Sequence, residues 1–245
     1  MPDKWYQSWF NSPYYHILYS QHNDSEAEFF IDNLCSKLHS NAIASILDIA
    51  CGRGRHSIYL NKKGFDVTGI DLSHANIEFA KTYENEKLHF YEHDMRHLLY
   101  INYFNLALNL FTSFGYFESE KDHINALVSF RKSLKPNGLL VLDYFNSTRI
   151  LSDLTDRETK TIDGIDFHIT KRVENSKIIK TIDFEDKGRA YHYTEEVVAF
   201  SCADFERLFK LSGFEIINTF GDYALNEYNE CTSNRLIFIC RKGDV

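Results

Sequence analysis

The chain has 245 residues, of which 27 are Lys or Arg and 35 are Asp or Glu, giving a formal net charge of −8. Hydrophobic residues make up 44% of the chain, which excludes a disordered protein and supplies enough apolar side chains for a sizeable core. The acidic balance argues against bulk nucleic-acid binding, because that needs clustered Lys and Arg. The length fits one large domain or one domain with an insertion.

No apolar run is long enough to predict a membrane span, and the aromatic, polar start of the chain lacks a signal-peptide core. The five cysteines are widely spaced and include no Cys-x-x-Cys pair. Their spacing fits neither a disulfide framework nor a zinc site, and no Asp/His cluster has metal-ligand spacing. We therefore expect a cytoplasmic protein with reduced thiols, no bound metal and no membrane association.

Strand and helix signals alternate along residues 25–145, the order typical of a parallel sheet with helices on its faces. A short apolar strand at 45–50 leads into the turn Cys51-Gly-Arg-Gly54, and a helix follows. A second strand covers 66–70, and Ser73 is placed to cap the next helix.

The alternation continues with strands predicted at 88–91 and 104–110. Ser119 then opens a helix whose apolar residues keep helical spacing. The turn Lys135-Pro-Asn-Gly138 precedes a fully apolar strand at 139–142. These elements extend the predicted parallel sheet.

After residue 150 apolar and polar residues alternate, which predicts strands with one wet face. Turn signals divide residues 158–200 into an antiparallel meander. The chain then returns to the first pattern, with a helix at 203–211 and strands at 214–220 and 234–241. The meander is therefore predicted to be an insertion in the α/β domain.

The strongest chemical signal is the first strand–turn–helix, where Asp48 precedes the glycines Gly52 and Gly54. Glycines there let the backbone approach a ligand, and the helix N-terminus offers unpaired N–H groups. A dinucleotide fingerprint would need a third glycine where Ser57 stands. Asp71 closes the second strand, where a carboxylate can accept from both hydroxyls of a ribose. The turn alone also fits a structural role, and Asp71 alone also fits NAD.

A second carboxylate, Asp94, follows the third strand, where it can accept from an exocyclic amine. Met95 beside it offers a polarizable surface for a flat ring. A helix cap is the alternative role of Asp94. Asp48 stands on a buried strand, where an unpaired charge is costly. We expect it to order the glycine turn or to approach an ammonium group.

Four segments in this order resemble the motifs of class I S-adenosylmethionine-dependent methyltransferases. They are Asp48-Ile-Ala-Cys-Gly52-Arg-Gly54, Val67-Thr-Gly-Ile-Asp71-Leu-Ser73, His93-Asp94-Met95 and Leu134-Lys-Pro-Asn-Gly138. The resemblance covers residues 42–145 and 202–241. One departure is Ala50, where many members have the first of three glycines.

The resemblance implies an α/β fold: a Rossmann-like, seven-stranded, mostly parallel sheet with helices on both faces and an inserted antiparallel meander. Residues 25–150 and 201–245 would form the cofactor-binding domain. Residues 1–24 would form an aromatic lid segment. The insertion, 151–200, would cover the substrate or form a dimer contact, so a homodimer is possible.

The resemblance also implies S-adenosylmethionine as cofactor and S-adenosylhomocysteine as product. The implied cofactor-binding residues are Asp48, Ala50, Cys51, Gly52, Gly54, Asp71, Leu72, Asp94, Met95, Asn109 and Leu110. The turn would lie under the methionyl portion, Asp71 would hold the ribose with Leu72 against the adenine, and Asp94 with Met95 would take the adenine amine and ring. Asn109 and Leu110 would line the methyl-donor side.

The segment 109–116 and the insertion look most like members that methylate N or O of small molecules, including amino-sugar N-methyltransferases. An RNA or protein methyltransferase, a nicotinamide-dependent oxidoreductase and a non-catalytic cofactor-binding protein are the alternatives. The Asn/Asp-Pro-Pro-Tyr signature of amino-methylating nucleic-acid enzymes is absent from this position. A small-molecule methyl acceptor is therefore the expected partner.

The aromatic N-terminus is the candidate cover of the acceptor, with a packed arm as the alternative. Candidate acceptor-side residues are Tyr14, Tyr15, Phe111, Tyr116 and His123. His123 is a candidate proton acceptor because it follows the Tyr116 loop by about one helical turn. No catalytic residue is assigned, since methyl transfer from a sulfonium needs mainly orientation.

Overall fold

The computed structural model describes residues 5–20, 24–38, 43–152 and 154–243. Its helices are α1 (Trp5–Phe10), α2 (Pro13–Leu18), α3 (Asp24–Lys37), α4 (Arg55–Lys62), α5 (His74–Lys81), α6 (Glu120–Ser133), α7 (Ser147–Ser152) and α8 (Cys202–Ser212). Residues 1–4 and 21–23 of the predicted lid segment, and 244–245 of the predicted domain, lie outside the described residues.

The strands of the described residues form two sheets. They are β1 (Ser45–Ile49), β2 (Asp66–Asp71), β3 (Leu88–Glu92), β4 (Phe104–Asn109), β5 (Leu134–Phe145), β6 (Arg157–Ile162), β7 (Ile165–Glu174), β8 (Lys177–Asp186), β9 (Arg189–Val198), β10 (Phe214–Phe220) and β11 (Arg235–Lys242). The larger sheet has the order β10-β11-β5-β4-β1-β2-β3, and the smaller one β6-β7-β8-β9.

Strand direction in the larger sheet sets the position of the site. Only the two pairings that involve β11 are antiparallel; the other four are parallel. The carboxyl ends of β1 to β5 therefore meet at one edge, and the strand order reverses between β1 and β4. Such a reversal is where open α/β sheets bind their ligands. The predicted mostly parallel sheet is confirmed.

Helices cover both faces of this sheet. One core cluster joins it to α3, α4 and α5, and another joins it to α6 and α8. Phe30 on the first face and Phe130 on the second are at most 2% exposed. Burying one such side chain contributes about 1.5–3 kcal/mol. The helices are therefore held by apolar packing on the two faces.

Helix starts follow the predicted caps. The Ser73 hydroxyl accepts from Asn76 N at 3.2 Å at the start of α5. Ser119 caps α6 in the same way, accepting from Asp122 N at 3.1 Å. Each side chain satisfies one backbone donor that the helix leaves unpaired. Both predicted caps are confirmed.

The predicted turn at Lys135–Gly138 differs from the observed structure. β5 already begins at Leu134, so the turn lies within the bounds of the strand. Asn137 there has a left-handed φ of 61°, and the pairing of β4 with β5 shifts register. The Pro-Asn-Gly sequence therefore produces an irregularity at the start of a long strand and leaves the strand unbroken.

The smaller sheet is the predicted antiparallel meander, within residues 157–198. Its inner face contributes Phe167 and Ile182, which form an apolar cluster with Trp9 and Leu18 of the N-terminal helices. Its outer face exposes Asp166 and other polar residues. The two N-terminal helices thus complete the core of the inserted sheet.

The described residues were compared with what a membrane span, a metal site and a disulfide require. None of the helices in the described ranges combines the length and the apolar character that a bilayer crossing requires. Within the same ranges, no three His, Cys, Asp or Glu side chains gather as metal ligands would. The five cysteines, all in described parts of the chain, are unpaired.

We expect Gly54→Ala to destabilise the fold through Phe90. A Cβ at Gly54, where φ is 82°, would lie 2.7 Å from the Phe90 ring. Steric crowding and the left-handed backbone should together lower the free energy of unfolding by about 2–4 kcal/mol. Gly64→Ala is the control, since a Cβ there meets no atom within 4 Å although φ is 98°. Urea unfolding measures both, and equal losses would contradict the packing role of Gly54.

Candidate active site

The turn after β1 is a run of left-handed backbone. Ala50, Gly52 and Gly54 have φ values of 59°, 56° and 82°. A Cβ at Gly52 would meet no atom within 4 Å, so the space in front of this glycine is open. Gly54 faces the Phe90 ring, which gives it a packing role. Gly52 is therefore the glycine that a ligand can approach.

Asp71, at the end of β2, binds this turn directly. Its Oδ2 accepts from Gly52 N at 2.9 Å, and its Oδ1 accepts from Ser73 N at 2.8 Å. Burial raises the pKa of Asp71, although these amide hydrogen bonds oppose the change. A carboxylate has about four acceptor positions, so these amides do not use all of them. Leu72 beside it is 38% exposed and offers an apolar surface.

Asp48 is 1% exposed and contacts the start of the helix that follows the turn. Its Oδ2 accepts from the Ser57 hydroxyl at 2.5 Å, which ties β1 to the first turn of α4. Burial raises the pKa of Asp48 to about 6. Sequence reasoning used Ser57 only to exclude a dinucleotide fingerprint and missed this contact. Cys51, in the same turn, is buried and donates its amide to Ile70 O at 3.0 Å.

Asp94, after β3, is already paired. Its carboxylate accepts from Arg96 Nε at 3.0 Å and from Arg96 Nη2 at 2.5 Å. Burial opposes ionisation of Asp94, but the hydrogen bonds from Arg96 outweigh it, so the pKa is lowered. The sequence prediction missed Arg96, although it is only two residues away. Binding of an adenine amine by Asp94, with Met95 half-buried beside it, stays a prediction.

The end of β4 carries an unsatisfied polar atom. Asn109 is fully buried and donates its Nδ2 to Ile49 O at 3.2 Å. No described residue provides a hydrogen-bond partner for Asn109 Oδ1. The Leu110 side chain is buried in the core, so this residue can line a site only through its backbone.

Phe111 and Tyr116 lie on the loop after β4. The Phe111 ring lies 5.0 Å from that of His56 and 5.2 Å from that of Tyr223. The Tyr116 ring lies 5.7 Å from that of Trp5 and 5.5 Å from that of Phe10. These contacts bring the loop between α4 and α1. His56, buried with its pKa lowered to about 3 by burial, is a neutral member of this stack.

The prediction for His123 needs correction. The ring is 2% exposed and packs 5.2 Å from Phe114, 5.1 Å from Phe117 and 5.0 Å from Phe200. Its Nδ1 lies 3.0 Å from Ser119 O. Burial lowers its pKa. His123 is therefore a core side chain of α6, because one turn of helix carries it under the aromatic cluster.

The two candidate tyrosines of α2 point to different places. Tyr14 donates to Asp186 at 2.8 Å, and its ring lies 4.6 Å from that of Phe184, so it belongs to the inserted sheet. Tyr15 makes no hydrogen bond through its hydroxyl to any described residue. Burial raises the pKa of Tyr15, and the charges of Glu195 and Asp71 raise it further. The Tyr15 ring contacts Trp9, which binds Glu195 of the inserted sheet, and His16, which binds Asn76 of α5.

The N-terminal helices bridge the two sheets. Ser73 donates to Asn11 at 2.5 Å, next to Asp71, and His16 Nε2 lies 3.1 Å from Asn76 Oδ1. On the other side Trp9 donates to Glu195 of β9 at 2.5 Å, and Tyr19 donates to the same carboxylate. Residues 5–20 therefore span from the carboxyl end of β2 to the inserted sheet.

The pKa of Asp48 predicts a pH-dependent gain from Asp48→Asn. A carboxyl pKa of about 6 in the folded protein, above about 3.9 when unfolded, stabilises the fold at low pH. This contribution is lost as the pH rises through 6. Asparagine stays neutral and can still accept from Ser57. The variant should therefore be about 1–3 kcal/mol more stable than the wild type at about pH 8 and equal to it at about pH 4.

Urea unfolding at the two pH values measures the difference. Asp66→Asn, at the partly exposed start of β2, is the matched control for the loss of a strand carboxylate. A constant gap between Asp48→Asn and the wild type would contradict a raised pKa for the carboxyl.

Known proteins that are similar to this chain are methyltransferases. A family described as methyltransferase domain matches residues 21–219. The putative methyltransferase YqeM of Bacillus subtilis is 31% identical over 208 residues, covering 81% of this chain and 84% of the relative. The dTDP-3-amino-3,4,6-trideoxy-alpha-D-glucopyranose N,N-dimethyltransferase of Streptomyces venezuelae is 25% identical, covering 71% of this chain and 76% of its own.

A solved structure shows the same fold. The crystal structure of an S-adenosylmethionine-dependent methyltransferase from Clostridium acetobutylicum has a TM-score of 0.80 and 18% identity, covering 94% of this chain and 96% of that chain. The family match spans well over half of the sequence. The chain therefore belongs to the methyltransferase domain family, and its resemblance to S-adenosylmethionine-dependent methyltransferases is confirmed.

Proposed function

We propose that the protein transfers the methyl group of S-adenosylmethionine to nitrogen or oxygen of a small molecule at the carboxyl edge of β1, β2 and β4. The observation that carries this proposal is the contact between Gly52 N and Asp71 Oδ2, at 2.9 Å. It sets an open backbone turn beside a carboxylate whose acceptor positions are not all used by the protein. A nucleoside with an amino-acid tail needs both groups within one site.

The residues of this edge fit the cofactor. The open space at Gly52 leaves room for the methionyl portion beside the turn. Asp71 would hold the ribose hydroxyls, since hydrogen bonds to a charged group are worth about 1.5–3 kcal/mol each. Leu72 would lie against the adenine, and the unpartnered Asn109 Oδ1 would face the methyl-donor side. The bound cofactor supplies a methyl group on an electrophilic sulfonium.

The chain itself supplies orientation and exclusion of water. Placing two reactants correctly is worth about 7–11 kcal/mol, so a strong general base is not required. Phe111 and Tyr116 flank the edge, where the Phe111 ring already holds the Arg55 guanidinium at 4.8 Å and packs against His56. Tyr15 closes the side toward the insertion with a hydroxyl that is open to hydrogen bonding.

The N-terminal helices cover the carboxyl edge of the larger sheet, which favours a small methyl acceptor. Residues 5–20 lie across it and are bonded to Ser73 on one side and to Glu195 on the other. The exposed face of the inserted sheet is polar, with Asp166, His168 and Thr170 outward. Among the two roles predicted for the insertion, this favours a substrate cover over an apolar dimer contact. The amino-sugar relative supports nitrogen as the methylated atom.

Asp71→Asn should weaken binding of S-adenosylhomocysteine by about 10–100-fold, because the charged acceptor for the ribose is lost. Isothermal titration calorimetry measures the dissociation constant. Glu92→Gln is the matched control, since Glu92 ends the neighbouring strand β3 and pairs with the exposed His74 at 2.9 Å. An unchanged constant in Asp71→Asn would refute the ribose assignment.

Tyr15→Phe should lower kcat/KM for methyl transfer by about three- to tenfold, because one neutral hydrogen bond to the acceptor is removed. Transfer of radiolabelled methyl groups to a panel of amino sugars and small amines first identifies an acceptor. Tyr14→Phe is the control and should retain full activity, since its hydroxyl binds Asp186 of the insertion. An equal loss of kcat/KM in the two variants would contradict a hydrogen bond between Tyr15 and the acceptor.

A further inference from the structure

The loop that follows β4 begins in an unusual backbone conformation. Phe111 and Thr112 are consecutive left-handed residues, with φ values of 54° and 59°. This region is disfavoured for residues with a side chain, and most strongly for a β-branched residue such as threonine. A backbone of this kind persists only where its surroundings fix it, and such positions cluster at functional sites.

Asp143, near the end of the adjacent strand β5, holds both residues. Its Oδ2 accepts from Phe111 N at 2.7 Å, and its backbone carbonyl accepts from Thr112 N at 3.0 Å. Asp143 is fully buried. One residue therefore satisfies the two amides that the left-handed turn directs toward β5.

Arg235, the first residue of β11, completes the arrangement. Its Nε donates to Asp143 Oδ1 at 2.8 Å, and its Nη2 lies 2.7 Å from the same oxygen. The same Nη2 donates to Thr112 Oγ1 at 3.0 Å. Tyr223 adds a longer hydrogen bond to Asp143 Oδ2 at 3.3 Å. The guanidinium thus binds the carboxylate and the threonine with one rigid planar group.

Stability alone does not account for this ion pair. Removing two charges from water is costly, and apolar residues of similar volume often stabilise a fold as well or better. The pair also supplies hydrogen bonds to a strained turn: Asp143 binds its backbone amides, and Arg235 binds the Thr112 side chain. Thr112 O in turn accepts from the Tyr116 hydroxyl at 2.7 Å. The position of Tyr116 at the edge therefore depends on Thr112.

We propose that Asp143 and Arg235 are positioning residues for methyl transfer, which hold Phe111 and Thr112 so that the loop 109–116 lines the methyl-donor side. This inference rests on the proposed function. Asp143 and Arg235 act through Thr112 and Tyr116, and the sequence resemblance assigned them no role.

The first test needs no ligand. In Arg235→Met, peptides spanning 109–117 should exchange backbone hydrogen at least tenfold faster in hydrogen-exchange mass spectrometry. Arg207→Met is the matched control and should leave these peptides unchanged, because Arg207 pairs with Glu120 on the surface at 2.7 Å. Unchanged exchange in Arg235→Met would overturn the holding role.

The second test separates positioning from a merely structural role. S-adenosylhomocysteine lacks a group at the methyl position, whereas sinefungin carries an amine there. In Arg235→Met the dissociation constant for S-adenosylhomocysteine should stay within threefold of the wild type. The ratio of the two dissociation constants should shift at least fivefold against sinefungin. Proportional weakening of both ligands would reduce the pair to a structural role and overturn the proposal.

Two more variants keep the test decisive if Arg235→Met fails to fold. Thr112→Val removes one hydroxyl at nearly constant volume and should shift the ligand ratio in the same direction. Arg235→Lys keeps the charge but lacks the planar fork, and it should restore the ratio only in part. Failure of the wild type to bind either ligand would contradict the proposed function itself, an outcome distinct from any difference between variants.

Discussion

The candidate site depends on one hydrogen bond between neighbouring strand ends, from Gly52 N to Asp71 Oδ2. It exists because β1 and β2 are parallel and adjacent, which brings their carboxyl ends to the same edge. The amide stabilises the half-buried carboxylate without occupying all of its acceptor positions. A side chain at residue 52 would be strained at a φ of 56° and would fill the open space. Turn and carboxylate therefore form one unit.

Around this unit, the remaining wall comes from segments distant in sequence. β4 and β5 bring Asn109 and Asp143 to the same edge, and β11 adds Arg235 from the far side of β5. The N-terminal helices close the opposite side through Trp9 and Tyr15. A rigid sheet with helices on both faces suits this task, because its parts keep their spacing while loops supply the chemistry.

Local signals predicted much of this architecture. Apolar strands, capping serines and glycine turns each depend on a few adjacent residues, so β1, β2 and the caps at Ser73 and Ser119 were found correctly. The carboxylates Asp48 and Asp71 were recognised because the residue types that surround them are restricted by the turn.

Pairings across the chain were not predictable in this way. Glu195 lies 176 residues from Tyr19, and Arg235 lies 92 residues from Asp143, so neither contact leaves a pattern in one sequence. His123 shows the reverse error: its proximity to Tyr116 along the chain suggested the pocket, while helix geometry directs it into the core. Arg96 was within reach of sequence reasoning, since an Asp-x-Arg spacing after a strand allows a local ion pair.

The carboxylate of Glu195 is contacted by side chains from two separate segments of the chain. Trp9 and Tyr19 from one end of the chain and Lys180 from the insertion all meet it. Grafting only the insertion from another enzyme would leave indole and phenol donors buried without an acceptor, a costly mismatch. The two segments are thus constrained to change together, as a single interchangeable module on a constant nucleotide-binding scaffold.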